Sequence, residues 1–184
     1  MKRSAIGPIV VALAIAMASG VTYAQAPDSK AFVNDLTIAG LAEVQLGKLA
    51  AERGSNPDVK TFGQMMVKDH TKAASELKPI AMQLNVQQPT QVDQKHKDLA
   101  DKLSKLEGSA FDREYIIAMV MGHEEVAAKL RTRVEQKTAS PDEGPAAATG
   151  SGEQKLTQWA TMVLPTVQKH LERAREIQKK VATE

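Results

Sequence analysis

The amino-acid sequence predicts an all-α protein whose main elements are four long amphipathic helices. In four separate segments, apolar residues recur every three or four positions, which is the period of a helix with one buried face. Aromatic residues make up only 3% of the chain, so alanine, leucine, valine and methionine must fill the core. This composition suits packed helices better than sheets, and no segment shows the alternation of a strand. We therefore expect a four-helix bundle.

The first 24 residues have the features of a secretory signal peptide. Lys2 and Arg3 are followed by an apolar segment, residues 6–18, and by small residues, and we expect cleavage after Ala24. The apolar segment is shorter than the roughly 20 residues that a membrane-spanning helix needs. The alternative is an uncleaved membrane anchor. The predicted location is the periplasm, with no stable membrane insertion after cleavage.

Residues 25–184 are predicted to form one domain of ordinary size. Without Lys2 and Arg3, the 24 basic residues fall to 22, which equals the 22 acidic residues. This neutral balance argues against a nucleic-acid partner, which requires a basic surface. The chain contains no cysteine, so disulfides, thiolate nucleophiles and zinc–thiolate sites are excluded.

The first two long helices are predicted to form an antiparallel hairpin. The first runs from Ser29 to Arg53 and ends at Gly54, a residue type that is common at helix C-termini. The second begins around Pro57, since proline is favoured in the first helical turn. Pro79 is expected to bend or weaken its last turn. Because only a few residues separate the two helices, they must pack side by side.

The connection to the second helix pair contains a short, highly charged helix at residues 91–107. Gly108 closes this helix, and the third long helix begins at Ser109. There, Asp112 has the spacing of a capping box, in which a side chain three residues into the helix bonds back to its start. We expect this third helix to fade near Lys137.

The fourth long helix follows a segment without a helical pattern. Residues 138–152 are rich in alanine, glycine, proline and serine, and we expect a flexible surface loop there. The helix starts near residues 151–153 and contains Pro165. This proline should kink the helix, because the carbonyl group of Thr161 loses its donor.

Four polar residues lie on the apolar faces of the long helices, one near the middle of each. They are Glu43, His70, His123 and His170. Helices of similar length in a bundle share a mid-plane, and at a rise of roughly 1.5 Å per residue these positions should fall within about two turns of one level. One inward polar group per helix at one level is how bundles build metal sites. We therefore predict a metal site from these four side chains.

A metal-free core is the alternative for the same residues. A single histidine on an apolar face is more often bonded to a neighbour in the core, whereas a buried glutamate needs a partner, because burying an unpaired carboxylate costs several kcal/mol. A hydrogen-bonded layer of Glu43 and the histidines would satisfy both. Asp69, beside His70, is either a further ligand or a carboxylate that orients an imidazole. Because adjacent helical positions diverge by about 100°, its other interpretation is a solvated side chain.

The remaining histidine and the paired methionines are predicted to be structural. His96 belongs to the charged connecting helix and is expected at the surface. Met65 and Met66 are adjacent rather than clustered with other donors, so we expect them to fill the core instead of binding Cu(I).

Several short motifs occur along the chain in a fixed order. They are Phe32-Val33, Gly-Leu-Ala-Glu at 40–43, Met-Met-Val-Lys-Asp-His at 65–70, Phe-Asp-Arg-Glu-Tyr at 111–115 leading to His123, and Leu-Pro-Thr at 164–166 followed by His170-Leu171. Together, over about residues 29–179, they resemble a family of exported bacterial proteins catalogued as domain of unknown function 4142. The resemblance implies a ferritin-like fold and no particular activity. The full fold prediction is a ferritin-like four-helix bundle with a short extra helix in the connection between the second and third long helices.

The donor set differs from that of di-iron ferritin-like proteins. Their sites use four carboxylates and two Glu-x-x-His motifs, whereas the residues three positions before the histidines here are Val67, Val120 and Val167. A ferroxidase of the usual kind is therefore not expected. Three imidazoles and one carboxylate suit a single Zn, Cu, Ni or Fe ion.

The sequence thus predicts an exported protein that binds one metal ion in its core, for storage or in an envelope stress response, rather than an enzyme. Two alternatives stay open: a metal-free structural or protein-interaction bundle, and a metalloenzyme that acts on oxygen species. No catalytic residue is predicted. The partner stays open between a second copy of the chain, which would give a homo-oligomer, and another envelope protein.

Overall fold

The structure is a computed structural model that describes residues 28–138 and 151–183. These residues form five helices: α1 Ser29–Arg53, α2 Pro57–Gln83, α3 Gln94–Ser104, α4 Gly108–Thr138 and α5 Gly152–Val181. The predicted all-α class is confirmed. The predicted signal peptide, residues 1–24, and nearly all of the predicted loop at 138–152 lie outside the described residues. Of the helices described, none combines the length and apolar character needed to cross a membrane.

The helix starts follow local side-chain chemistry. The first N–H groups of a helix have no partner within it, and a short polar side chain at the preceding position accepts from them. Asp28 accepts from the backbone N–H of Lys30 at the start of α1, and Asn56 accepts from Asp58 at the start of α2. Ser151 and Gln154 form a reciprocal capping box at the start of α5. The predicted starts of these three helices are confirmed.

Asp112 has a different role from the predicted capping box of α4, and that prediction is wrong. Its carboxylate is buried and accepts the backbone N–H groups of Ser55 and Asn56, at 3.0 and 2.7 Å. These N–H groups belong to the turn between α1 and α2, and partly buried backbone donors need an acceptor. Asp112 therefore ties that turn to α4, a long-range contact that local spacing does not reveal.

One further detail of the helices differs from the sequence expectation. The connecting helix α3 is shorter than predicted, because Asp93 caps it by accepting from the backbone N–H of His96 and so sets its start at Gln94. As predicted, Pro79 lies in the last part of α2 and Pro165 lies inside α5, and the bends expected at these prolines stay predictions.

The four long helices pack in a closed circuit. The most extensive contacts join α1 to α2 and α4 to α5, and smaller ones join α2 to α5 and α1 to α4. At the crossing of α1 and α2, Gly47 and Gly63 face each other so closely that a Cβ atom on Gly63 would lie 2.6 Å from the carbonyl oxygen of Gly47. Only glycine allows this approach of two backbones.

The core consists of two groups of buried apolar residues, which we name after one aromatic residue in each. The Phe62 cluster contains Leu46, Ala50, Val59, Phe62, Met66, Leu103, Phe111, Tyr115, Ile116, Met119, Val120, Ala174, Ile177 and Val181. The Trp159 cluster contains Phe32, Val33, Leu36, Leu77, Ala81, Val86, Ala127, Leu130, Leu156, Trp159, Ala160 and Val167. Along α1 and α5 the Trp159 cluster comes first, and along α2 and α4 the Phe62 cluster comes first. Each long helix is therefore antiparallel to both of its neighbours in the circuit.

Candidate metal centre

A layer of polar residues separates the two apolar clusters. On each long helix, one of Glu43, His70, His123 and His170 lies in the interval between the residues of the Phe62 cluster and those of the Trp159 cluster. Three of the four are buried, with residue exposures of 8% for Glu43, 1% for His123 and 3% for His170, and His70 is half-buried. The structure thus places all four at one level of the core.

The three histidines come together from three different helices. The ring centroids of His70 and His123 lie 5.7 Å apart, those of His70 and His170 5.6 Å, and those of His123 and His170 5.4 Å. One potential ligand atom from each ring lies within 4.8 Å of the other two. Within the described part of the chain, this group has the composition and spacing to hold a metal ion.

The orientation of His123 is fixed by the backbone of its own helix. Its Nδ1 lies 2.8 Å from the carbonyl oxygen of Met119. A carbonyl oxygen only accepts, so Nδ1 carries the hydrogen and donates, and the lone pair of the neutral ring resides on Nε2. Among the described residues, this buried Nε2 finds no hydrogen-bond partner.

The orientation of His170 is fixed from the neighbouring helix α2. Its Nε2 lies 3.0 Å from Oδ2 of Asp69, to which it donates. The lone pair of this ring therefore resides on Nδ1, which is buried and has no partner within the described residues. Asp69 thus pairs with His170 of α5, although its neighbour along the chain is His70. A carboxylate behind an imidazole is the usual means of orienting a metal ligand, and a direct ligand role for Asp69 stays a prediction.

His70 supplies the third nitrogen. Its Nε2 is also buried and has no partner in the parts of the chain described. Buried polar atoms are normally hydrogen-bonded, and an unsatisfied one costs roughly 1–3 kcal/mol. Three such imidazole nitrogens in one cluster are the donor set that divalent first-row transition metals prefer.

Burial keeps the three imidazoles in the form that binds metal. It lowers the pKa of His70 to about 3 and that of His123 to about 4, because a charged ring loses its hydration in the core. Burial also lowers the pKa of His170, although the hydrogen bond to Asp69 opposes this. All three rings are therefore neutral near pH 7, and neutral imidazole is the metal ligand.

Glu43 lies at a different edge of His123. Its Oε1 is 3.6 Å from Nδ1 of His123, whereas Nε2 is the ring atom that lacks a partner within residues 28–138 and 151–183. Among the described residues, the potential metal-holding group comprises the three histidines without Glu43. Burial raises the pKa of Glu43 to about 8, so its side chain is protonated at pH 7. Its predicted role as a ligand stays a prediction.

Two aromatic residues at the site were not identified from the sequence as functional. The Phe62 ring packs edge-on at 6.3 Å from His123 and 6.5 Å from His170, and at 6.3 Å from the buried Tyr115 ring. Burial raises the pKa of Tyr115, and the charge of Glu43 adds to this effect. Tyr115 precedes His123 by eight residues, about two helical turns. That spacing on one helix face is the sequence signal from which Tyr115 could have been identified.

The structural predictions for the other histidine and for the methionines have mixed outcomes. The His96 side chain is 22% exposed and its Nδ1 pairs with Asp93, so it is half-buried rather than fully at the surface. Met66 is buried in the Phe62 cluster and Met65 packs against that cluster. This packing agrees with the prediction that both methionines fill the core.

Comparison with known proteins gives a family and no activity. One family model, described as Domain of unknown function (DUF4142), matches residues 16–177, most of the chain. No curated protein and no solved structure matches the chain.

Proposed function

We propose that this chain, which belongs to the family of unknown function 4142, binds one divalent transition-metal ion through His70, His123 and His170. The observation that carries the proposal is the cluster of three buried imidazole nitrogens without partners among the described residues. The opposite nitrogens of His123 and His170 are held by Met119 and Asp69. Such outer contacts fix the tautomer and ring orientation of metal ligands.

The residues present suit a single metal ion rather than a di-iron pair. The donor set is imidazole, which suits Zn, Cu, Ni or Fe, and the residues three positions before the histidines are valines. A bound ion would supply a Lewis acid or a stored metal at this position. The protein supplies three neutral nitrogens, one orienting carboxylate and an apolar surrounding. We therefore favour metal binding or storage over turnover.

The proposed setting is a ferritin-like four-helix bundle outside the cytoplasm. The circuit of four antiparallel long helices, with α3 in the long crossover between α2 and α4, supports the bundle. The basic and apolar features of residues 1–24 support export to the periplasm. An envelope stress or storage role follows from this combination.

Elemental analysis tests the proposal most directly. Protein without residues 1–24, purified without a metal-affinity tag, should contain or take up about one metal ion per chain. Binding should raise the melting temperature, since a ligand at 100 times its Kd stabilises the folded state by about 2.7 kcal/mol. His123→Asn should abolish both effects. His96→Asn is the matched control, because it removes the fourth histidine of the chain, which lies outside the cluster.

The opposite result would favour the metal-free structural function. Failure of Zn, Cu, Ni and Fe ions to bind or to stabilise the wild-type protein would exclude the metal site. The hydrogen bond between His170 of α5 and Asp69 of α2 would then serve to fix the register of these two helices.

One observation favours the second alternative, a metalloenzyme. An apolar cavity of about 40 Å³ borders His70, with Leu36, Ala73, Trp159 and Val167 among its walls. This volume accommodates a water-sized or diatomic molecule beside one of the donors. Oxygen-dependent turnover by the metal-loaded protein would distinguish this function from storage.

A further inference from the structure

A second cavity, larger than the one beside His70, lies on the Glu43 side of the polar layer. This cleft has a volume of about 470 Å³ and is enclosed by α1, α4 and the first part of α3. Small-molecule sites in proteins are typically clefts of roughly 300–1,000 Å³. The cleft therefore has the size of a site for a small organic ligand.

The walls of the cleft are largely apolar. Leu36, Ala39 and Leu46 of α1 face Leu99 of α3 and Met119 and Val126 of α4 across it. Ile117 and Met121 extend the apolar surface to the mouth, where they are 41% and 65% exposed. An alkyl or ring-containing ligand would bury apolar surface here, which is favourable because that surface is removed from water.

The ionisable groups that line the cleft are mostly acidic, and most are already paired. Five carboxyl groups line it, those of Asp35, Glu43, Asp93, Glu114 and Glu125, against two lysines, Lys95 and Lys129. Lys129 pairs with Asp35 and Glu125, and Lys95 also pairs with Glu125. Asp93 pairs with His96, and Glu114 with Lys102. Within the described residues, Glu43 pairs with no cationic side chain, since the ring of His123 beside it is neutral.

Glu43 is accessible from this cleft, although it is 92% buried. Its Oε2 has no hydrogen-bond partner in the described parts of the chain. On the facing helix stands Gly122, where an added Cβ atom would lie 3.5 Å from Oε1. The absence of a side chain at Gly122 leaves space next to the carboxyl group.

We propose that this cleft binds an amphipathic organic cation, whose apolar part lies against the walls from α1, α3 and α4 and whose ammonium group pairs with Glu43. The excess of carboxyl groups favours a cation over an anion. The inference does not rest on the metal site, which uses the other edge of His123.

The test measures binding of three matched probes to metal-free protein that lacks residues 1–24. Octylammonium, octanol and octanoate share one chain and differ in charge. Isothermal titration is carried out below their aggregation concentrations and at about pH 9, which is below the pKa of an alkylammonium group, about 10.4 for lysine. We expect octylammonium to bind at least about tenfold more tightly than octanol, which corresponds to about 1.4 kcal/mol, and octanoate to bind most weakly.

Two variants locate the site. Glu43→Gln keeps the shape of the side chain and should remove the preference for octylammonium over octanol. Gly122→Leu should block all three probes, because it fills the space beside Glu43 at a helical position without backbone strain. Ala128→Leu is the control, since it adds the same side chain on α4 at an exposed position outside the cleft. Circular dichroism of each variant confirms that it is folded.

Three results would overturn the proposal. They are equal or tighter binding of octanol or octanoate by the wild-type protein, retention of the octylammonium preference in Glu43→Gln, and absence of binding by every probe. Because no metal is present in these titrations, such a failure leaves the histidine site untouched. Conversely, loss of the metal proposal would leave the cleft proposal standing.

Discussion

Helix α1 packs against its two neighbours in opposite ways. Against α2, a Cβ atom added at Gly63 would lie 2.6 Å from the carbonyl oxygen of Gly47, so the two backbones are in direct contact. Against α4, the same helix leaves a cleft of about 470 Å³, and the nearest atom to a Cβ added at Gly122 is Oε1 of Glu43, at 3.5 Å. The closed contact leaves no space between α1 and α2, whereas the open contact makes the buried carboxyl group of Glu43 accessible from the cleft.

This difference separates two kinds of chemistry within one polar layer. Helices α2, α4 and α5 contribute the histidines, and α1 contributes Glu43. Nε2 of His123 belongs to the group of imidazole nitrogens without partners in the described part of the chain, while its Nδ1 edge lies next to Glu43 and the cleft. The proposed metal and the proposed organic cation would thus use opposite edges of the same ring.

The largest expected effect comes from alanine in the closed contact. In Gly63→Ala, the new Cβ atom would meet the backbone oxygen of Gly47 at 2.6 Å and the backbone nitrogen of Ala51 at 2.9 Å, so the helices must separate. Overpacking of this kind costs about 1–3 kcal/mol. We expect urea unfolding to show a loss of stability in that range, although alanine is otherwise the better helix former by about 1 kcal/mol.

The same substitution in the open contact is the control for this comparison. Gly122→Ala meets no backbone atom within 4 Å outside its own helix, so the gain in helix propensity should leave the protein equally stable or more stable. Equal destabilisation by the two substitutions would show that the packing of α1 against α2 is no tighter than that against α4.

A smaller effect should distinguish the two carboxyl groups near the histidines. Asp69→Asn removes the carboxylate that accepts from Nε2 of His170. Loss of such an outer partner typically lowers metal affinity by 10–100-fold, or about 1.4–2.7 kcal/mol. Glu43→Gln should lower it less, because Nδ1 of His123 already donates to Met119. Competition titrations with a metal indicator measure both, and a greater loss in Glu43→Gln would instead support Glu43 as a ligand.

Local features of the sequence determine much of this fold. The predicted range of the first helix agrees with α1, because Asp28 caps its start and Gly54 ends it within the same segment. The mid-helix positions of Glu43 and the histidines likewise follow from helix length. The shared level of these residues could therefore be predicted from the helix bounds together with the apolar periodicity.

What the sequence did not reveal depends on contacts between distant segments. The role of Asp112 depends on the turn at Ser55, 57 residues away. The separation of Glu43 from the free nitrogen of His123 depends on the rotation of α1 and α4 about their axes, which a stripe of apolar residues defines only to within a wide angle. The cleft depends on the spacing between α1 and α4, and no local pattern encodes it.

The smallest predicted effect is the pH dependence of the metal-free protein, which tests whether Glu43 is uncharged on the open side of α1. Burial raises its pKa from 4.5 to about 8, so its contribution to stability is complete below pH 4.5 and is lost as the pH rises toward 8. The pKa values of His70 and His123 are lowered from 6.5 to about 3 and about 4, so their contribution is present above pH 6.5 and is lost on acidification. The free energy of unfolding should therefore be greatest near pH 6.5 and fall above it by about 1 kcal/mol per pH unit.

Glu43→Gln should abolish the decline above pH 6.5 and keep the loss on acidification, since glutamine does not titrate. Parallel profiles of the two proteins above pH 6.5, measured by urea unfolding with a chelator present, would mean that the folded protein already holds Glu43 ionised.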